Sequence, residues 1–427
     1  MARFATLARA LGRFPVRLSR VCLCAGVALA LTACAGPRVR PAEPPLQVPP
    51  PTASTTAPQP VPPVVAAPQA PVTVAPLTSA GSGDKLRVAI LLPLSGPNAA
   101  IGNALMQSAQ LALFSLADSR FELMPRDTKG TPEGASQAAQ DAISGGARML
   151  LGPLFAPEVA AVKPIAHRAG VSVLAFSTDA SLAGDGTYIM GFVPDDQVRR
   201  VVSYARSQGL TRFGAVAPRN AYGEAVVAAL TDAVQANRGQ LVRVERYDAG
   251  PGSGPAAVQA VLSGGPGTID AVLLPESGDK LKQLAAAFPP PAPSSQFRLL
   301  GTGLWDVPNL GREPALVGGW YAAPQPDART EFESQYASSY GQKPPRLATL
   351  AYDAAALAAV LARSGSPDSQ TFDPANLTNP NGFAGLDGIF RLRPNGTVER
   401  GLAVLAVTAS GNRVIDSAPS SFVALTQ

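Results

Sequence analysis

The chain has 427 residues, with 35 Lys and Arg, 30 Asp and Glu, one His and three Cys. Its net charge of +5 and pI near 9.2 come entirely from Arg3, Arg9, Arg13, Arg17 and Arg20; without residues 1–33 the charges balance to zero. The basic pI is therefore no evidence for nucleic-acid binding, which would want a retained basic face, and no nucleic-acid partner is expected. One histidine and a single cysteine beyond residue 33 leave too few ligands for the usual zinc sites and no pair for a disulfide in that part of the chain.

The N-terminal segment carries those five arginines and no acid, then an apolar or small run from Val21 to Ala33. A basic region, a short apolar region and small residues before a cut site are the parts of a secretory signal. Thirteen residues are too few to span a bilayer, which takes about 20 in a helix. Leu31-Thr32-Ala33-Cys34 resembles the bacterial lipobox. Residues 1–33 are therefore expected to be a lipoprotein signal and Cys34 the lipidated residue. Cys22 and Cys24 leave with the signal. Ala35 is not the aspartate associated with inner-membrane retention, so the resemblance implies a lipid anchor at the periplasmic face of the outer membrane.

Residues 37–80 hold 14 of the 43 prolines and only three charges, Arg38, Arg40 and Glu43. Nothing in them repeats with a helical or strand period. Residues 34–83 read as an extended or disordered proline-rich tether, of which 37–80 would reach on the order of 140 Å at full polyproline extension.

From residue 84 to 427 the texture is globular. Lys85 to Leu92 is a buried-strand run ended by Pro93, and Ile101 to Leu116 has apolar residues at helical spacing. Further strands are predicted near 121–126, 148–151, 171–176, 188–192, 212–217, 241–247, 269–274 and 297–301, with helical stretches between most of them. This alternation predicts an α/β fold with doubly wound parallel sheets.

The single histidine, His167, falls near the end of a predicted helix, where a polar or cationic side chain complements the helix dipole. No phosphate-binding loop, nucleophile elbow or complete dinucleotide fingerprint is present. An enzyme is not expected, and neither a cofactor nor a metal. Polar loops instead follow the predicted strands, where open α/β sheets bind ligands. They are Leu94–Pro97 with Ser95, Gly152–Phe155 with Leu154 and Phe155, Phe176–Asp179 with Ser177 and Thr178, Asn220–Glu224 with Tyr222, Pro275–Ser277 with Glu276, and Gly301–Asp306 with Trp305. Taken one at a time, such residues serve equally as helix caps.

The serial order Leu-Pro-Leu-Ser-Gly (92–96), Leu-Gly-Pro-Leu (151–154), Ala-Phe-Ser-Thr (175–178) and Tyr-Gly-Glu (222–224), with the end piece Gly385–Leu392, resembles the type I periplasmic-binding-protein fold across residues 84–427. The resemblance implies two lobes joined by three crossovers around a cleft, the first about 84–197 and 323–378, the second about 198–322 and 379–427. Two branches of that fold compete. Carried over from Leu/Ile/Val-type receptors of ABC importers, Thr178 would hold a carboxylate, Tyr222 would cover the ligand, and Asp196 or Glu276 would take an ammonium. Those receptors commonly offer a hydroxyl after Gly152-Pro153-Leu154, where this chain has Phe155-Ala156-Pro157. The 90–96 opening and the 151–155 loop are also similar to the LpoA-like penicillin-binding-protein activators, outer-membrane lipoproteins that stimulate a bifunctional peptidoglycan synthase by protein–protein contact. The tether suits that role. The family's helical-repeat N-terminal domain has no counterpart in residues 37–80. An activator is the expected function, with a receptor for an amino acid or similar small polar ligand as the alternative.

Overall fold

A computed structural model describes residues 85–289, 297–364 and 371–422. The expected signal, Cys34 and the tether lie outside them. In chain order the elements are β1 (Leu86–Leu92), α1 (Ala99–Leu116), β2 (Phe121–Asp127), α2 (Pro132–Ser144), β3 (Met149–Leu151), α3 (Ala156–Arg168), β4 (Ser172–Ala175) and β5 (Thr187–Ile189). They continue with α4 (Pro194–Ser207), β6 (Arg212–Pro218), α5 (Ala221–Ala236), β7 (Gln240–Tyr247), α6 (Ser253–Leu262), β8 (Ala271–Leu274), α7 (Gly278–Ala286), β9 (Arg298–Gly301) and β10 (Trp320–Ala323). The last are α8 (Pro326–Tyr340), α9 (Ala348–Ser364), α10 (Pro374–Leu377), β11 (Phe383–Gly385), β12 (Gly388–Leu392), β13 (Val398–Arg400), β14 (Ala403–Thr408) and β15 (Gly411–Asp416).

The first sheet has the order β2-β1-β3-β4-β5 and is parallel throughout. Period-two alternation in β1 explains why it reads as one continuous apolar run. Val88, Ile90 and Leu92 enter a core shared with α1 and α9, while Ala89 and Leu91 enter the core on the opposite face, under α2 and α3. Each fully buried aliphatic side chain of this kind contributes about 1.5–3 kcal/mol. Thr131 starts α2 by accepting the Gly134 N–H at 3.0 Å, with Pro132 in the first turn.

The second sheet runs β15-β14-β10-β9-β8-β6-β7. Its body is parallel, and β14 and β15 add antiparallel strands at one edge. It is also covered on both faces: Phe213, Ala215 and Leu273 pack with Val198, Val201 and Leu230, while Val216, Val272 and Leu274 pack with Val258, Leu281 and Leu284. The expected α/β fold with doubly wound sheets is therefore what the chain adopts.

The lobe boundary differs from the sequence expectation. Residues 379–400 were expected in the second lobe, but Phe390, Leu392 and Val398 complete the same core as Leu86 and Ile90. The small antiparallel sheet β11-β12-β13 is held there by α9, whose Asp353 accepts the Leu386 N–H at 2.7 Å. α4 packs into the second lobe through Val198 and Val201. The chain thus passes between lobes after β5, after β10 and after β13. Among the described residues, no helix is long and apolar enough to cross a membrane.

Candidate functional site

The carboxyl ends of the strands in both sheets point loops toward a cavity of about 460 Å³. The first lobe contributes Thr178 after β4, Phe192 after β5, and Arg346 and Leu347 just before α9. The second contributes Gln197 in α4, Tyr222 at the start of α5, Ser277 after β8, and Gly303, Leu304, Asp306 and Val307 after β9. Ala323 and Pro324, on the second passage between lobes, close the wall.

Tyr222 and Gln197 are held in this wall by hydrogen bonds to neighbouring elements. Asn220 caps α5 by accepting the Gly223 N–H at 2.8 Å, which sets the first turn and carries Tyr222. The Tyr222 hydroxyl then meets Thr302 Oγ1 at 2.9 Å. Gln197 Oε1 accepts the Gly303 N–H at 2.6 Å, and its Nε2 donates to the Phe192 carbonyl at 3.4 Å. Burial raises the Tyr222 hydroxyl above the usual phenol range, so it is neutral.

The two charged residues of the wall belong to a network. Arg346 Nη2 donates to Asp387 Oδ1 at 2.8 Å, and Nη1 donates to Thr349 Oγ1 at 2.9 Å and to Asp387 Oδ2 at 3.3 Å. Its guanidinium lies over the Phe192 ring, 4.3 Å from the centroid. Asp306 is ion-paired with Arg329 and lies 3.6 Å from Arg346 Nε.

Of the residues read from sequence, Thr178 and Tyr222 line this cavity. The others turn elsewhere, each for a physical reason. Ser95 donates its hydroxyl to Asp127 Oδ2 at 2.5 Å and closes the β1–α1 turn. Leu154 is buried in the first lobe's core and Phe155 packs against it, as their apolar side chains dictate. The Phe155 N–H is taken by Glu158 Oε2 at 3.2 Å. Ser177 is buried and accepts the Asp179 N–H at 3.1 Å. Asp196 is buried against Arg199 and the Arg400 N–H. Glu276 accepts the Tyr247 hydroxyl and borders a separate polar depression with Arg219, Asp248 and Lys280. Trp305 is fully buried in the second lobe, its Nε1 donating to the Leu274 carbonyl at 3.2 Å.

The residues missed by sequence reading are Phe192, Gln197, Leu304, Val307 and Arg346 with Leu347. Leu304 sits in the Gly301–Asp306 loop already singled out, and Val307 lies one residue beyond it. Arg346 precedes a helix rather than following a strand, so the strand-end rule does not reach it. His167 is exposed in the last turn of α3. Among the described residues, no group of three or more His, Cys, Asp or Glu is placed to hold a metal ion.

Comparison with known proteins agrees with this architecture. A putative branched-chain amino acid ABC transporter protein of Rhodospirillum rubrum superposes with a TM-score of 0.67 at 20% identity, covering 78% of this chain and all of that one. A solute binding protein of an R. palustris ABC transporter, solved with benzoate, gives 0.57 at 19% identity, covering 79% and 97%. A leucine binding protein of Thermotoga maritima gives 0.54 at 20%, covering 77% and 97%. By sequence, the protein RP748 of Rickettsia prowazekii is 23% identical over 168 residues, 39% of this chain. The chain spans less than half the length of that relative, 44%. The family described as periplasmic binding protein matches residues 85–412, and with that extent of match the chain belongs to the periplasmic binding protein family.

Proposed function

We propose that this protein is a lipid-anchored, non-enzymatic activator of a bifunctional peptidoglycan synthase, acting from the periplasmic face of the outer membrane by protein–protein contact. The observation that carries the reading is the 152–155 loop. Leu/Ile/Val-type receptors commonly offer a hydroxyl to an amino-acid carboxylate just after Gly152-Pro153-Leu154, whereas here Leu154 and Phe155 pack into the lobe's core. A buried donor lost to a carboxylate costs about 1.5–3 kcal/mol when nothing replaces it. Two further features support a protein partner. Phe114 stands 93% exposed on α1, close to its C-terminal end, where its ring is open to a partner. The proline-rich tether suits a partner held at a distance from the anchor.

The test is to measure glycan polymerisation by a class A penicillin-binding protein from the same organism, with and without the mature protein. Stimulation of several-fold, reduced by Phe114→Ser at unchanged folding, supports the proposal. No stimulation, together with recovery of an ABC permease from solubilised envelope, sinks it. The second reading is a solute receptor of an importer, and the cavity between the lobes favours it. Its size is that of ordinary small-molecule sites.

A further inference from the structure

The cavity's chemistry narrows what it can hold, and that inference rests on the cleft being a binding site, whichever of the two roles its bound state serves. Among the described residues, two charged ones line it, Arg346 and Asp306, and both are paired. Arg346 spends both terminal nitrogens on Asp387 and Thr349, and Asp306 is paired with Arg329. Asp387 is completely buried, so a ligand carboxylate that took Arg346 would strand an unpaired charge inside the protein. A ligand ammonium drawn to Asp306 would compete with two guanidiniums already there.

What the wall does offer is apolar. Leu304 and Val307 are 37% and 40% exposed, and both border this same space with Leu347 and Phe192. The neutral hydrogen-bonding side chains are the hydroxyls of Thr178 and Ser277, which carry no hydrogen bond within the described residues, that of Tyr222, and the Gln197 amide, already engaged with Gly303 and Phe192. We propose that the cavity binds an uncharged molecule with a mainly apolar body and one or two amide or hydroxyl groups. It discriminates against amino acids and simple carboxylates, because the charges that its described residues present are already neutralised from within the chain.

Matched pairs test this on the mature protein: 2-naphthamide against 2-naphthoate, and N-acetyl-leucinamide against leucine, by calorimetry and, for the naphthyl pair, fluorescence. The neutral member of at least one pair is expected to bind tenfold or more tighter, with little dependence on salt. Leu304→Asn is expected to weaken it by a similar factor. Asp387→Asn, which keeps the shape and unpairs Arg346, is expected to shift the preference toward 2-naphthoate by tenfold or more. A carboxylate bound as tightly as its neutral partner by the unaltered protein overturns the discrimination while leaving the cleft a binding site. No heat or spectral change with any of the four compounds at millimolar concentration overturns both. An unchanged preference in folded Asp387→Asn also overturns the assignment.

Discussion

The backbone N–H of Arg400 donates to Asp196 Oδ2 at 2.9 Å, which fastens the third connection between the lobes to the first. Arg400 closes β13, and Asp196 opens α4 just after β5. The same arginine reaches back to the Met190 carbonyl with Nη2 at 2.7 Å and lies over the rings of Phe192 and Phe390. Its Nη1 is 4.0 Å from Asp353 Oδ2, and within the described residues neither atom makes a hydrogen bond. Any change in the angle between the lobes must therefore rearrange a buried cluster of charges. Phe192 connects that cluster to the cavity, since it also carries Arg346.

This cluster gives stability an unusual pH dependence. Burial pushes the Asp196 carboxyl up to about 6, against the pull of Arg199. Burial and the neighbouring Asp387 push Asp353 up to about 7. A carboxyl raised in the folded state binds protons that the unfolded chain releases near pH 4, so stability falls as pH rises from about 4 to 7. The carboxylates held low, such as Asp127 with its hydrogen bonds from Ser95, Leu94 and Lys129, lose their contribution only under more acid conditions. The thermal midpoint is expected to be a few degrees higher at pH 5.5 than at pH 7.5. Asp353→Asn should flatten that slope in scanning calorimetry. A midpoint that rises with pH across this window would contradict the assignment.

Tyr222 depends on a glycine behind it. A Cβ at Gly223 would lie 1.9 Å from the Pro218 carbonyl oxygen, so α5 can sit this close to the end of β6 only without a side chain there. The first lobe uses the same device at Gly102, against Pro93. Gly223→Ala is expected to cost about 1–3 kcal/mol through overpacking, and to break the 2.9 Å contact between Tyr222 and Thr302. Chemical denaturation and 2-naphthamide titration read the two effects separately. A variant of unchanged stability would mean the helix start shifts without cost.

The fold was legible because its signal is local. Nine strands predicted from apolar runs and turn residues all correspond to strands β1 to β9, and the predicted helix at Ile101–Leu116 is α1. The return of the chain to the first lobe was less so. Strands β11 to β13 have short alternating patterns, and only contact with α9 tells which core they fill. For the site, the rule that ligands meet loops after strands led to Thr178 and Tyr222, which line the cavity. It also led to Leu154, Phe155 and Trp305, whose apolar side chains go inward because burial outweighs any neighbouring loop's polarity. Asp196 illustrates the remaining gap. Its acidic side chain suggested an ammonium partner, but Arg199 and Arg400 reach it from within the chain, one three residues away and one 204 residues away. Arg346 is likewise defined by Asp387 and Asp306, which no spacing connects.

Trp305 separates packing from binding. Its ring lies against Gly301, where a Cβ would come within 2.1 Å of it, and it fills the second lobe's core beside Tyr321. Trp305→Ala is expected to cost about 3–5 kcal/mol in equilibrium denaturation. Emission from this indole should be blue-shifted and resistant to acrylamide, and should stay so when the cavity is occupied. Strong quenching on ligand addition, traced to Trp305 by its persistence in a Trp320→Phe background, would place the ring in the cavity after all.

Arg346 offers the sharpest test of how the cavity wall is held. Its partner Asp387 is fully buried, so Arg346→Met leaves a carboxylate without a counter-ion and is expected to destabilise by about 3–5 kcal/mol. Arg346→Met combined with Asp387→Asn removes both charges and should recover most of that loss. The recovery is what a structural ion pair requires: the penalty of the single change is mainly the stranded charge, not a lost attraction. If Arg346 instead served to hold a ligand anion, the single change would leave stability nearly untouched and abolish binding of a carboxylate. Denaturation midpoints for the four members of the cycle, measured beside 2-naphthoate titrations, decide between them. A loss of stability restored by Asp387→Asn, with no carboxylate binding to lose, would fix Arg346 as the clamp that joins the start of α9 to the β11–β12 turn.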